Sequence, residues 1–209
     1  MNDSIQRNVN ILVLESQLDK DLRSSRSQKE FMRLLGQTFS GLSVFHREIH
    51  SFADLEHFIG EARKYKCDLI HYIGHGDIDQ DGAFLRLTND DTIKLSTAQP
   101  KMGLRVFHDL RDVVLLFSCC GVGDDEKSLL KLKQVSGARA IFAYRTKTVY
   151  DYQAFLTDSM LYQLLYGPLP DSRLQGKLAT PEAICERVNN CIEQLLLYRR
   201  GRKDILMAV

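Results

Sequence analysis

Short apolar runs bounded by polar residues recur along the chain, at residues 9–14, 42–49, 68–73, 113–117 and 138–144. Each has the length and the β-branched or aromatic content of a strand. The stretches between the first three have helical spacing instead. Ser27-Gln28-Lys29-Glu30 has the form of a capping box, so a helix is expected to begin at Gln28, with Phe31, Leu34 and Leu35 as its buried stripe. Ser51 is placed to cap a second helix, with Phe52, Leu55, Ile59 and Ala62 recurring at helical intervals. Strand, helix, strand, helix, strand in that order predicts a parallel sheet with covering helices.

The pattern then changes. Asp81-Gly82 and Asn89-Asp90 are turn signals flanking two short alternating runs, which predicts a small β-hairpin insert. Residues 96–110 read as a short helical or irregular stretch. Val113 to Phe117 are apolar without interruption, as a strand covered on both faces must be. Asp124, Asp125 and Glu126 bring negative charge to the start of a following helix, and Gly137 is placed to end it. Two more helices are expected, over residues 152–166 and from Thr180-Pro181-Glu182 to Gly201. The linker at 167–179 divides the chain into an α/β domain at 8–167 and a helical extension at 168–209 packing on it. The expected fold is a three-layer α/β/α sandwich around five or six mostly parallel strands.

Composition narrows the function classes. The 209 residues are 44% hydrophobic and 26% charged, ordinary values for a globular chain with a real core. A formal net charge of +1 gives no support for a nucleic-acid partner. No apolar run approaches the roughly 20 residues of a membrane span. The start, MNDSIQRNVN, is polar and has no signal-peptide pattern. Five cysteines, at 67, 119, 120, 185 and 191, show neither C-x-x-C nor metal-ligand spacing. An odd count without a secretion signal points to free thiols in a reducing cytoplasm. No motif calls for a cofactor.

The candidate chemistry lies at two strand ends. The run at 113–117 leads into Ser118-Cys119-Cys120 and then a tight turn through Gly121 and Gly123. The run at 68–73 leads into Gly74-His75-Gly76. Parallel α/β sheets bind ligands beyond the C-terminal ends of their strands. A thiol there needs a base, and His75 lies about 45 residues upstream of Cys120. A His about 50 residues before a Cys is the caspase arrangement. The N–H groups of Gly76 and Cys120 are candidates for an oxyanion hole.

These residues also carry a resemblance. His71-Tyr72-Ile73-Gly74-His75-Gly76 fits the H-x-x-G-H-G signature of the CHAT proteases, the bacterial branch of the caspase-like cysteine peptidases. Ser118-Cys119-Cys120-Gly121-Val122-Gly123 resembles their L-S-A-C-x-x-G signature, with Cys119 in place of alanine. The resemblance implies a caspase-like fold and a His75–Cys120 dyad that cleaves a protein substrate. It implies a bacterial, cytoplasmic setting in antiviral defence, with a gasdermin-like pore-former or another effector as substrate. Control would come from an activating partner or sensor protein, from dimerisation or from self-cleavage. It also implies a specificity pocket built by the loop after the first strand, through Asp19 and Asp21, together with Ser118. An acid there would select Arg or Lys, whereas Arg23 in the same loop would select Asp. Both signs are present.

Other readings of the same residues stand beside these. Two different function classes are a caspase-like pseudoenzyme serving as an interaction module and a thiol redox sensor using Cys119 and Cys120. His71 is expected to pack in the core. Cys119 is expected to be a buried substitute for alanine, because adjacent strand residues face opposite ways. Asp77, Asp79, Asp81 and Gly82 spell the first half of a calcium loop, but Thr88 stands where the bidentate Glu belongs, so the segment reads as a solvated acidic turn. The basic cluster at 199–203 reads as a complement to a helix C-terminus.

Overall fold

The computed structural model describes residues 9–16, 27–38, 42–96, 103–145, 158 and 206–209. The helices expected at 152–166 and 181–200, the linker between them and the cluster at 199–203 lie outside the described residues. The chain folds as α/β. Its elements are β1 (Val9–Glu15), α1 (Lys29–Thr38), β2 (Leu42–Glu48), α2 (Phe52–Lys64) and β3 (Leu69–Ile73). Then come β4 (His75–Asp79), β5 (Gly82–Arg86), β6 (Thr92–Lys94), a 3-10 turn (Leu104–Phe107) and β7 (Val114–Ser118). A second 3-10 turn (Val122–Asp124), α3 (Glu126–Ser136), β8 (Ala140–Tyr144) and β9 (Leu206–Ala208) complete them.

The main sheet runs β2-β1-β3-β7-β8-β9, with parallel pairing throughout except for β9, which joins β8 antiparallel. Side chains alternate across it and build two separate cores. The first face carries Leu12, Leu14, Ile70, Tyr72, Leu115, Phe117 and Ile141 against Leu55 and Ile59 of α2 and Leu129 and Leu132 of α3. The second face carries Ile11, Val13, Leu69, Leu116 and Phe142 against Met32 and Leu35 of α1. Helices on both faces explain why β3, β7 and β8 are buried along their whole length. Each large apolar side chain removed from water in this way contributes about 1.5–3 kcal/mol.

Four local features depart from the sequence expectation. In α1, Leu34 is 56% exposed and Met32 is buried beside Leu35 in its place. Ser27 and Glu30 do not form a reciprocal box. Glu30 pairs with Arg33 at 2.8 Å, and the carboxylate of Glu15 takes over, accepting from the Ser27 hydroxyl and the Gln28 amide at 2.9 Å each. The N-terminus of α1 is thus held by the end of the neighbouring strand. A full capping box does form at Ser51, with Asp54 as its partner, and starts α2. The hairpin insert is a three-stranded antiparallel sheet, because residues 75–79 form the additional strand β4. That strand is almost wholly exposed, so it carries no hydrophobic alternation to announce it. Finally, the last residues of the chain return as β9, with Val209 and Ile141 exchanging backbone bonds at 3.0 Å.

Candidate active site

The two motifs leave the sheet side by side. β3 and β7 are adjacent and parallel, with Ile73 opposite Ser118 as the last matched pair. The strands stay together one step further, where the Gly74 amide donates to the Ser118 carbonyl at 3.4 Å. His75 and Cys120 each stand two residues beyond that pair, at the C-terminal edge of the sheet.

His75 opens β4 and is exposed. Its carbonyl oxygen lies 3.1 Å and the Arg86 carbonyl oxygen 3.0 Å from the Tyr72 hydroxyl, which shares its one proton between them. Burial pushes the Tyr72 phenol well above its ordinary pKa, and neighbouring Cys119 adds to the shift, so the hydroxyl stays a donor. The backbone at His75 is thereby tied to the core. Gly76 lies against the second motif. A Cβ at Gly76 would stand 2.6 Å from Cys119 Sγ and 2.8 Å from Val122 Cγ2, so only glycine fits.

The two adjacent cysteines have opposite surroundings. Cys119 is 1% exposed and belongs to the first-face core with Phe117 and Val122. Burial pushes its thiol well above the ordinary value, and the nearby Cys120 and Asp158 push it further. Cys120 is half-buried. Just after it, Gly121 turns the chain with a φ of 69°, the Val122 amide returns to the Cys120 carbonyl at 2.8 Å, and the 3-10 turn feeds α3. The thiol that is open to water is therefore the one nearest the glycine turn.

No protein-family model matches this chain. A search of characterised proteins returns no match either.

Beside His75 opens a cleft of about 410 Å3, lined among others by Gly76, Asp77, Phe84, Arg86 and Asp90. That is within the size range of small-ligand pockets. Phe84 forms an apolar patch there, with the Arg86 guanidinium 5.8 Å and Lys94 Nζ 5.0 Å from its ring centre. Asp79 and Asp81 both pair with Lys94, the latter at 3.6 Å, and Asp77 accepts from the Ile78 amide at 2.8 Å. The acidic segment is therefore a strand and its turn. Among the described residues, no cluster of three His, Cys, Asp or Glu side chains is arranged to hold a metal.

Of the residues expected to form a specificity pocket, Asp19 and Asp21 lie outside the described residues. Ser118 faces the second side of the sheet and is buried, with its hydroxyl donating to Asp158 Oδ2 at 2.6 Å. His71 is buried on the same face, and its Nε2 lies 2.8 Å from Ser118 Oγ and 3.3 Å from Asp158 Oδ2. Tyr144 donates to Asp158 Oδ1 at 2.9 Å. Sequence reasoning placed His71 in the core but missed Asp158, which His71, Ser118 and Tyr144 all approach. Asp158 lies in a segment whose apolar spacing suggested only a helix, and no local pattern announces a carboxylate destined for a sheet some 40 residues away in sequence. His71 inside the run at 68–73, Ser118 just after the run at 113–117 and Tyr144 at the end of the run at 138–144 were the available signal.

Proposed function

We propose that the protein is a cysteine endopeptidase of caspase-like architecture, with His75 and Cys120 as its catalytic dyad. The observation that carries this reading is the packing of Gly76 on Cys119, which brings the two glycine-flanked turns into contact at the edge of one parallel sheet. In this reading the Cys120 thiolate attacks the scissile carbonyl carbon, and the leaving amine takes a proton from His75. Water, deprotonated by His75, then releases the acyl group and regenerates the thiol. The amides of Gly76 and Cys120 are the candidate donors to the tetrahedral oxyanion. The cleft beside His75 gives a substrate side chain somewhere to sit. The burial of Cys119 favours this reading over a redox sensor, because a sealed, protonated thiol is a poor partner in thiol–disulfide chemistry. The substrate class is a protein, and the CHAT-like motifs point to an effector such as a gasdermin-like pore-former.

The test is site-resolved alkylation with iodoacetamide, read by mass spectrometry, alongside cleavage of candidate protein substrates. Cys120 should react fastest at neutral pH, and His75→Ala should slow it by about a hundredfold, as for other thiols activated by a partner. Cys119→Ala should keep the reactivity and any cleavage, whereas Cys120→Ala should abolish both. Fast labelling at Cys119, or Cys120 labelling indifferent to His75, would sink the assignment.

A further inference from the structure

The second face of the sheet holds a chain of buried polar groups near the C-terminal ends of β3, β7 and β8. Ser118 has one hydroxyl proton, and it goes to Asp158 Oδ2 at 2.6 Å. Ser118 Oγ is then the acceptor for His71 Nε2–H at 2.8 Å. Tyr144 closes the other side of the carboxylate through Oδ1 at 2.9 Å. Asp158 is 1% exposed and His71 0%. One carboxylate thus ties together β3, β7 and β8, each within the last three residues of its strand.

Position in the chain gives this network its meaning. Ser118 is two residues before Cys120, and His71 is four before His75. A buried carboxylate is a costly way to hold three strands, since well-packed apolar side chains of similar volume would hold them at least as firmly. Hydrogen bonds add what apolar packing lacks, a fixed distance and direction between the groups they join. We propose that Asp158 is a positioning residue for the dyad. Through Ser118 it fixes the strand that delivers Cys120, and through the same bond chain to His71 it fixes the strand that delivers His75. At 1% exposure the carboxylate is closed to solvent. Its effect runs through the relative placement of the two strand ends, where small misplacements are costly to catalysis.

The inference rests on the endopeptidase reading, and the experiment separates the two. Iodoacetamide labelling of Cys120 is followed against pH in the full-length protein, for the wild type, H75A, D158N, S118A and Y144F, with thermal unfolding of each. D158N keeps the shape of the side chain but replaces one acceptor oxygen by a donor. It should label Cys120 about tenfold more slowly at neutral pH, as expected for a misaligned pair. At alkaline pH D158N should match the wild type. S118A, which cuts the chain between His71 and Asp158, should behave similarly, and Y144F should shift the profile in the same direction by less. A merely structural role would lower the unfolding temperature and leave the pH profile of the folded protein in place. Profiles of D158N and S118A that superimpose on the wild type would overturn the proposal. Should D158N fail to fold, S118A and Y144F decide, and an unshifted profile in both overturns it. If wild-type Cys120 reacts no faster than in H75A, the dyad itself is wrong. If wild type and H75A differ while the three network variants do not, only the role of Asp158 is wrong.

Discussion

The two faces of the main sheet, compared at the level where Ile73 stands opposite Ser118, do different work with the same strands. The first face is sealed by carbon and sulfur. Tyr72 and Phe117 lie with ring centres 6.4 Å apart, Phe107 meets Phe117 edge-on at 6.0 Å, and Cys119 fills the end of the row. Its polar exit is the Tyr72 hydroxyl, which reaches the backbone of His75 and Arg86. The second face turns polar at the same level. Glu15 and His46 meet there at 2.5 Å, and His71, Ser118, Tyr144 and Asp158 make the network described above. The apolar face decides which cysteine is inert, by desolvating Cys119. The polar face fixes where the strands end, since hydrogen bonds are directional and apolar contacts are not. The proposed dyad calls on both, and alternation along one strand supplies both, from Ser118 on one side and Cys119 on the other.

The comparison breaks most severely at Gly76, where the apolar face admits no additional atom. Gly76→Ala would place a Cβ 2.6 Å from Cys119 Sγ and 2.8 Å from Val122 Cγ2. Both neighbours are buried in a packed core, so the new methyl group must push the two motif turns apart. The expected loss is about 3 kcal/mol, the upper part of the range for overpacking, measured by denaturant unfolding. Cys119→Ala in the same chain removes one of the two clashes and should recover part of it. An equally destabilised double variant would show that Cys119 is not the neighbour that matters.

The main sheet was legible because its strands are covered on both sides. Val113 to Phe117 are apolar without a break, and the runs at 68–73 and 138–144 are broken only by Asp68, His71 and Arg139, so buried strands are the reading that fits such runs between helical patterns. The helices α2 and α3 declared themselves through Ser51 and through Asp125 with Gly137, whose local chemistry fixes their ends. What was not legible depended on partners distant in sequence. β4 is a strand because it pairs with β5, and its own residues, His75 to Asp79, are mostly exposed. The cap of α1 comes from Glu15, thirteen positions before the amide it accepts from. The candidate dyad could be read from two glycine turns, whereas the carboxylate near the strand ends could not. Asp158 has no signature until the sheet exists for it to dock on.

A second, smaller test targets the polar face away from the proposed dyad. Glu15 is 3% exposed and receives Ser27, Gln28 and His46. Burial alone would raise its pKa, but the His46 ring, the Gln28 amide and the Ser27 hydroxyl together hold it below the ordinary value. Its folded pKa is therefore lower than its unfolded one, and the unfolded chain takes up the proton first as pH falls. The stability that Glu15 contributes is complete above the ordinary carboxylate pKa of about 4.3 and is lost as pH falls through the lower folded value. Glu15→Gln should cost about 1.5–2 kcal/mol at neutral pH, the scale of a hydrogen bond to a charged group, and should flatten the acid limb of the stability profile. An acid limb unchanged in the variant would mean that other carboxylates carry it.

The smallest effect is expected where the apolar face has its own polar tie, at Asp125. This side chain caps α3 by accepting from the Ser128 amide at 3.1 Å, and it also accepts from the Ser128 hydroxyl and, at 2.8 Å, from the amide of Ala83 in β5. It therefore joins the helix that follows Cys120 to the small sheet whose first residue is His75. Asp125→Ala removes a helix cap, which costs about 1 kcal/mol. The loss should be spread unevenly. Ala83 loses its acceptor at the edge of the small sheet, so its amide should exchange with solvent faster, by about tenfold if the local opening free energy falls by the whole of that amount. Amides of β3 and β7, buried on both faces, should slow or quicken only with global stability. Asp125→Asn keeps one acceptor oxygen and should recover the cap more than the tie to Ala83. Uniform acceleration of all amides would show that the small sheet and the main sheet open as one unit, and that Asp125 is a cap and nothing more.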